Sequence, residues 1–327
     1  MQTITFTCEV ITPMFLAGAD GTTPELRPAS IKGALRFWWR ARNGHLVGEN
    51  RDLTQLKEAE AKIFGGSGEG QGRSKVILQI QEDNLTIEQS NISLTPHHKK
   101  GYCLNLNENQ IRSNVNTKNC QKWDKNIDAC AKARPPKDGY LFGKFTIETR
   151  FDSSIISEAE LVKVLKLTFL AGGLGKRTRR GFGSLSLELN GKQCFQSKND
   201  VEEFIKELSL PKSSTIDFPY LLSIEIGKEY EAYTPLLEDI GLQSHNYNQR
   251  NDLYLGFAKK IKNGNAYEQK RMASSIYVSV FKDHETGKYY PIITTLKTAF
   301  EPYVLEAINE NIDYTNNRSI DFINSLK

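Results

Sequence analysis

The stretch Gly172-Gly173-Leu174-Gly175-Lys176-Arg177-Thr178-Arg179-Arg180-Gly181-Phe182-Gly183 organises the first half of this chain. It places five glycines and four cations within twelve residues. Glycine reaches backbone conformations that are closed to other residues, and clustered cations attract anions. The stretch therefore predicts a loop that lies against a long polyanion.

The elements on either side of this basic loop are a helix and a strand. Ser157 and Glu160 form a capping box, and the apolar residues between 161 and 172 recur at helical spacing. After the loop, leucines alternate with polar residues over 185–189, which predicts a half-buried strand. The predicted order is helix, basic loop, strand.

That order excludes a nucleotide-hydrolysing loop. Such loops run from a strand into a helix, whose N-terminus faces the phosphate. Here Arg177 follows Gly175-Lys176, where a mononucleotide-binding P-loop needs Ser or Thr. The cations and the backbone amides that glycines leave accessible remain as the predicted anion-binding groups.

Length and composition indicate a globular protein of two domains. The chain has 327 residues, 39% of them hydrophobic, and a net charge of +4 with a pI near 8.6. Its five cysteines form no disulfide-like lattice, so we expect reduced thiols. With no apolar leader and no run near the roughly 20 apolar residues that span a bilayer, we expect a cytoplasmic protein without a membrane partner.

The first helix carries a basic stripe. A strand is predicted over 2–11, and Ser30 is a good N-cap for a helix that continues to Arg40. Lys32, Arg36 and Arg40 lie on one side of this helix, with Trp39 among them. Two interpretations stand: a solvated face with Trp39 folded against a neighbour, or cations that follow a phosphate backbone beside a stacking ring. The basic loop favours the second.

The remaining elements of the first domain complete a known topology. A short helix is predicted over 59–64, a flexible glycine-rich loop over 65–72, and strands over 76–80 and 139–151. The order strand, helix, strand, strand, helix, strand predicts an α+β fold of ferredoxin-like (RRM-like) type. We place this domain at residues 1–195.

Two segments of this domain resemble a known family. The run Leu-Arg-Pro-Ala-Ser-Ile-Lys-Gly-Ala-Leu-Arg-Phe-Trp-Trp-Arg at 26–40 and the basic loop resemble the RAMP superfamily of CRISPR effector subunits. Within it they are similar to the first Cmr subunits of type III-B complexes. The resemblance implies tandem ferredoxin-like domains in a non-catalytic, cofactor-free subunit. Such a subunit binds the 3′ region of the CRISPR RNA and the 5′ end of the paired target RNA, among other Cmr subunits.

The resemblance also implies that the first helix and the basic loop lie close together and contact RNA. It assigns RNA contacts to Ser30, Lys32, Arg36, Lys176, Arg177, Arg179 and Arg180. The sequence pattern adds Trp39, Arg40 and Thr178 to this set.

An insertion at 91–138 separates the second and third strands. It is polar and basic, and an excursion of this length in a compact domain is usually functional or disordered. Cys103, Cys120 and Cys130, with His97 or His98, supply zinc ligand types, but no Cys-x-x-Cys pair is present. We therefore predict unlinked cysteines and no metal.

The second domain is predicted at 216–327, after a linker or helix at 196–215. A strand over 220–226, a helix over 251–262, a hairpin over 275–295 and C-terminal helices form a less complete ferredoxin-like set without a final strand. Five cations here form either a second RNA-facing patch or the ordinary basic end of a helix: Lys259, Lys260, Lys262, Lys270 and Arg271. Of these, Lys259, Lys260 and Arg271 are predicted as RNA contacts.

Two other functions remain open from the sequence. A metal-independent nuclease that processes CRISPR RNA needs a general acid and base, for which His45 and His245 are available. An architectural subunit would instead dock on protein neighbours with Trp38, Trp39 and the C-terminal helices.

Overall fold

The computed structural model describes residues 1–18, 23–88, 140–211, 218–247, 255–263, 266–297 and 317–327. Within these residues the strands pair in antiparallel sheets and the helices pack on them, which confirms the predicted mixture of helix and sheet.

The N-terminal half (residues 1–195) is built on a five-stranded sheet of order β2-β5-β1-β6-β7. Alternation in β1 directs Phe6, Cys8 and Val10 to one buried face of the sheet. Burial raises the pKa of the Cys8 thiol far above its ordinary value. The strands are β1 (Gln2–Val10), β2 (Val76–Glu82), β5 (Lys144–Phe151), β6 (Leu185–Leu189) and β7 (Lys192–Gln193).

The strand predicted over 139–151 is two strands in the structure. It is divided at Gly143, whose φ of 111° interrupts the extended backbone. The segment before it, β4 (Tyr140–Phe142), leaves the main sheet and pairs with β3 (Thr86–Glu88).

Three helices pack with this sheet: α1 (Pro28–Arg42), α2 (Thr54–Phe64) and α3 (Glu158–Ala171). A fourth, α4 (Lys198–Glu207), buries Val201 and Phe204 in a second core that includes strands of the C-terminal half. The predicted cap at Ser157 is confirmed, because its hydroxyl accepts a hydrogen bond from the Glu160 amide. The predicted cap at Ser30 is wrong. The first helix begins at Pro28, which suits a first helical position because its missing N–H is not needed there.

The C-terminal half (residues 216–327) contains a three-stranded sheet of order β11-β12-β8, with helices α5 and α6. The predicted hairpin and C-terminal helix are confirmed, whereas α5 was not predicted. The elements are β8 (Leu221–Ile226), α5 (Tyr233–Tyr247), β11 (Ile276–Lys282), β12 (Tyr289–Leu296) and α6 (Asn317–Leu326).

The helix predicted over 251–262 is wrong for its described part. Residues 257–263 form strand β9 (Phe257–Asn263), which pairs with β10 (Ala266–Met272) as a separate hairpin. The sequence between the strands, Gly264-Asn265, is a two-residue connection typical of hairpins, and this signal outweighs the helical spacing.

The helix α3 joins the two halves. Leu161, Val164 and Leu165 belong to the core beneath the first sheet, whereas Leu167 and Leu170 belong to a second core that includes β8, β11 and β12. A helix that is apolar around its circumference is typical of a fully buried element. The two halves therefore share apolar cores.

Candidate nucleic-acid interface

The glycines of the basic loop are needed for close packing. Gly183 has a φ of 65°, and a Cβ there would stand 1.9 Å from the carbonyl oxygen of Leu174. Because that neighbour is backbone and cannot move aside, only glycine fits. The loop is therefore tightly folded, and its two ends lie against each other.

The backbone amides of the basic loop are largely used inside the protein. The Lys176 amide donates to the Phe15 carbonyl at 2.8 Å, and the Gly181 amide donates to Val278 in β11 at 2.6 Å. The expectation that these amides serve an anion is therefore wrong for most of the loop, since a donor already paired with a carbonyl is not available. The other amides bonded in this way are those of Gly172, Gly173, Leu174, Arg180 and Gly183.

Arg179 and Arg180 point into the C-terminal half. The guanidinium of Arg179 lies 4.4 Å from the centre of the Tyr277 ring and donates to its hydroxyl at 2.6 Å. Arg180 donates from Nε to the Ser244 hydroxyl at 2.7 Å and from a terminal nitrogen to the Leu255 carbonyl at 3.4 Å. Their charges therefore serve the contact between the halves.

The tip of the loop faces solvent. Gly175 and Lys176 are exposed, and Arg177 and Thr178 are half-buried. Lys176 makes no ion pair with any residue that the structure describes. Of the loop cations, Lys176 is therefore the one most open to an external anion.

The basic stripe of α1 surrounds a buried carboxylate. Glu60 of α2 is 5% exposed, and its Oε1 accepts from Arg36 and from Arg40, both at 2.5 Å. A carboxylate in the interior requires such partners. Sequence reasoning missed Glu60, although it stands at helical spacing from the apolar Leu56 and Phe64, where an acid needs a cation.

Lys32 lies at the N-terminal end of this stripe. Its ammonium donates to the Ser74 hydroxyl at 2.9 Å, and Ser74 bonds in turn to the carbonyl of Val76. Burial, together with the charge of Arg36, lowers the pKa of Lys32 below its ordinary value. Among the residues that the structure describes, Lys32 makes no ion pair, and its hydrogen-bond partner Ser74 is uncharged.

Trp39 does not offer a stacking surface. It is 4% exposed, and its ring packs edge-on against Phe64 with the centroids 6.3 Å apart. The assignment of Trp39 to the basic stripe is therefore corrected to the core between α1 and α2.

The first helix and the basic loop meet, as expected, but their cations lie on different flanks of α1. A Cβ on Gly172 would touch the Trp38 indole nitrogen at 2.3 Å, and Trp38 packs on Tyr277, the ring that Arg179 covers. Arg36 faces the other way, toward α2. Gly33, which is exposed, lies between the two flanks.

The second basic patch belongs to the β9–β10 hairpin. Lys259 pairs with Lys270, and Arg271 pairs with Ala258, so the cations lie along a strand pair and not at a helix end. The predicted RNA contacts of Lys259, Lys260 and Arg271 stay predictions.

The other sequence hypotheses concern a catalytic histidine, a metal site and the insertion. His45 is exposed on a short 3-10 turn (Gly44–Leu46) after α1. The described ranges contain no group of three or more His, Cys, Asp or Glu that could hold a metal, and none of their helices is long and apolar enough to cross a membrane. The insertion, with the cysteines and histidines weighed for zinc, lies outside the described residues.

Comparison with known proteins supports the sequence resemblance. The family described as the RAMP superfamily matches residues 7–186. The CRISPR system Cmr subunit Cmr1-2 of Pyrococcus furiosus is 31% identical over 199 residues, which cover 56% of this chain and 94% of that protein. Cmr subunit Cmr1-1 of the same organism is 27% identical over 226 residues, 65% of this chain and 57% of that protein.

Solved structures share the fold. The crystal structure of Cmr1 from Pyrococcus furiosus superimposes with a TM-score of 0.58 at 18% identity, covering 100% of this chain and 97% of that one. A chain of the type III-B Cmr-beta complex bound to cognate target RNA gives 0.56 at 14% identity, with both chains covered completely.

Proposed function

Because this chain belongs to the RAMP superfamily, we propose that it is a non-catalytic, RNA-binding subunit of a type III-B Cmr effector complex. In that role it contacts the 3′ region of the CRISPR RNA and the 5′ end of the paired target RNA, beside other Cmr subunits. The relatives named above support the assignment to a Cmr complex.

The fold proposed for this role is a pair of ferredoxin-like domains. In the first sheet, β2, β5, β1 and β6 lie side by side in the order that the topology requires. In the second sheet, the order β11-β12-β8 corresponds to β2-β5-β1 of the first sheet. No counterpart of β6 joins it among the described residues.

The observation that carries the RNA-binding proposal is the exposed loop tip at Lys176. Phosphate contacts depend on cations that keep their charge in solvent, and Lys176 meets this condition whereas Arg180 is engaged inside the protein. We place Arg177 and Thr178 beside Lys176 in the RNA-contacting surface. We also include Ser30 and Lys32 of α1 in this surface, on the other side of the exposed Gly33 from the loop.

The test is the substitution Lys176→Glu in the chain assembled with its Cmr partners and CRISPR RNA. We expect target RNA to bind roughly fivefold to tenfold more weakly at 0.1 M salt, with the slope of log K against log salt reduced by about 0.7. Lys192→Glu is the matched control, because Lys192 is exposed and lies at the far end of β6 from the loop.

Equal binding by Lys176→Glu and the unchanged protein would refute the placement of RNA at the loop tip. The same samples on denaturing gels test the non-catalytic role. Discrete cleavage products that disappear with His45→Ala would contradict it.

A further inference from the structure

The first sheet ends on one side in a strand that has no neighbour among the described residues. This strand, β2, pairs with β5 alone, and we call its other side the β2 edge. The opposite border of the sheet is β7, a strand of two residues that includes Lys192. Short strands and lysines protect sheet borders from unwanted pairing. The β2 edge lacks both devices, since its seven residues, Val-Ile-Leu-Gln-Ile-Gln-Glu, contain no lysine and no proline.

Backbone donors and acceptors of β2 point away from the sheet. The Val76 amide donates to the Ser74 hydroxyl at 3.2 Å, and the same hydroxyl donates to the Val76 carbonyl at 2.6 Å, so both groups of Val76 face away from β5. This direction alternates along an antiparallel strand, so the amides and carbonyls of Leu78 and Ile80 face outward too. Neither residue makes a further backbone hydrogen bond within the described ranges. The β2 edge therefore offers two donors and two acceptors to a strand from outside.

The two ends of β2 carry opposite charges. Lys75 precedes the strand, Asp83 follows it, and both are exposed. Among the described residues Lys75 makes no ion pair, and Asp83 accepts only from the neutral hydroxyl of Thr146, at 2.7 Å. A second copy of the strand, laid antiparallel, brings the basic end of each copy to the acidic end of the other. Opposite charges that face each other across antiparallel strands stabilise the pair, so β2 is complementary to itself.

We propose that the β2 edge is a dimerisation surface, at which two copies of this chain pair their β2 strands antiparallel about a two-fold axis at Gln79. In this register Leu78 opposes Ile80 of the partner subunit, and the two symmetric pairs exchange four N–H···O=C hydrogen bonds. Lys75 opposes Asp83 of the partner subunit at both ends. Leu78 is buried and Ile80 packs against the first core, so the apolar face of one sheet continues into the other. Such an interface uses the same surface on both copies and closes at two.

The charges select this register from its neighbours. An axis at Leu78 or at Ile80 would also join outward-facing backbone groups. Lys75 would then oppose Gln81 or Leu85 and would lose its carboxylate. The axis at Gln79 is the one that pairs both charged ends.

The first experiment is sedimentation velocity of the full chain alone, over a hundredfold range of concentration. We expect a reversible equilibrium between monomer and dimer. Lys75→Glu and Asp83→Lys should each raise the dissociation constant roughly tenfold, because each replaces two attractions by two repulsions. An equimolar mixture of the two variants should dimerise like the unchanged protein, since opposite charges then face each other at both ends. Lys62→Glu, at an exposed residue of α2, is the matched control and should change nothing.

The second experiment tests the register by oxidative crosslinking. The axis places Gln79 opposite Gln79 of the partner subunit as a pair without mutual hydrogen bonds, with the Cα atoms about 4.5 Å apart. This separation permits a disulfide. Gln79→Cys should therefore give a covalent dimer on non-reducing gels, beyond the level of the unchanged protein. Gln81→Cys, which opposes Ile77 of the partner subunit, is the control and should not.

Several results would overturn the inference. These are a chain that stays monomeric at the highest concentration, a dimer that survives both charge reversals, a variant mixture that stays monomeric, or equal crosslinking by the two cysteine variants. A monomer whose Leu78 and Ile80 amides resist hydrogen exchange would show that another part of the same chain, such as the insertion at 91–138, covers the β2 edge. These measurements use the chain without RNA, so their outcome is independent of the effect of Lys176→Glu on RNA binding.

Discussion

The substitution Arg180→Met separates a structural arginine from an RNA contact. It keeps an apolar stem while removing the hydrogen bonds from Nε to Ser244 and from the terminal nitrogens to Leu255 and the Arg179 carbonyl. It also removes the cation–π contact with Phe322, whose ring centre lies 5.5 Å from the guanidinium.

The expected cost follows from these contacts. Hydrogen bonds to charged groups contribute about 1.5–3 kcal/mol each, and the lower end applies because Arg180 is only half-buried. The bond to the Leu255 carbonyl is long, at 3.4 Å, and contributes little. Two hydrogen bonds at about 1.5 kcal/mol each, with about 0.5–1 kcal/mol for the cation–π contact, should lower the free energy of unfolding by about 4 kcal/mol. At about 2–4 °C per kcal/mol, the midpoint of thermal unfolding should fall by roughly 8–16 °C.

The assay is thermal unfolding followed by circular dichroism, paired with RNA binding at a temperature where both proteins are folded. Lys176→Met is the comparison, and it should lose RNA affinity while keeping its unfolding midpoint. If Arg180→Met unfolded like the unchanged protein but bound RNA as weakly as Lys176→Met, Arg180 would be a phosphate contact and the reasoning would fail.

Three further changes probe the framework of the site. Glu60→Gln should lower the free energy of unfolding by about 2–3 kcal/mol in urea titrations, since it leaves two guanidiniums without their buried partner. Adding Arg40→Met should recover part of this loss. If the losses of the two substitutions were additive instead, the ion pair between Arg40 and Glu60 would be contradicted. Gly183→Ala should lower the free energy of unfolding by at least about 3 kcal/mol. In the control Gly191→Ala, the φ is 75° and no atom lies within 4 Å of the added Cβ, so the loss should be only about 1–2 kcal/mol. Similar losses for the two variants would refute the tight packing of the loop. Burial raises the pKa of Asp239, but hydrogen bonds from neighbouring lysine, tyrosine and glutamine side chains outweigh it and lower the pKa. The carboxylate therefore stabilises the fold above about pH 4, and this stability is lost as the pH falls through the lowered pKa. Asp239→Asn should lose less stability than the unchanged protein on acidification, and parallel losses would contradict the assignment.

Local sequence predicted the elements that have strong periodicity. The alternation in β1 and the capping box before α3 depend on neighbours a few residues away, so the pattern alone locates them. The basic loop was also located correctly between its helix and strand.

The sequence predictions that were wrong concern residues whose partners lie far away in the chain. Trp39 occupies the polar side of an isolated helix wheel, yet Phe64 of α2 covers it. Arg180 looks like its neighbour Lys176 in sequence, and only the packing of the C-terminal half assigns them different tasks. No pattern within one segment reports a partner that another segment supplies.

The position of α3 between two cores bears on how the chain folds during synthesis. The Leu170 carbonyl accepts a hydrogen bond from Ser279, 109 residues later. At about 5–20 residues per second, the ribosome needs roughly 5–20 s to supply that partner. During this interval the part of α3 that packs on β11 and β12 stays uncovered, and a chaperone that shields it should raise the yield of native protein.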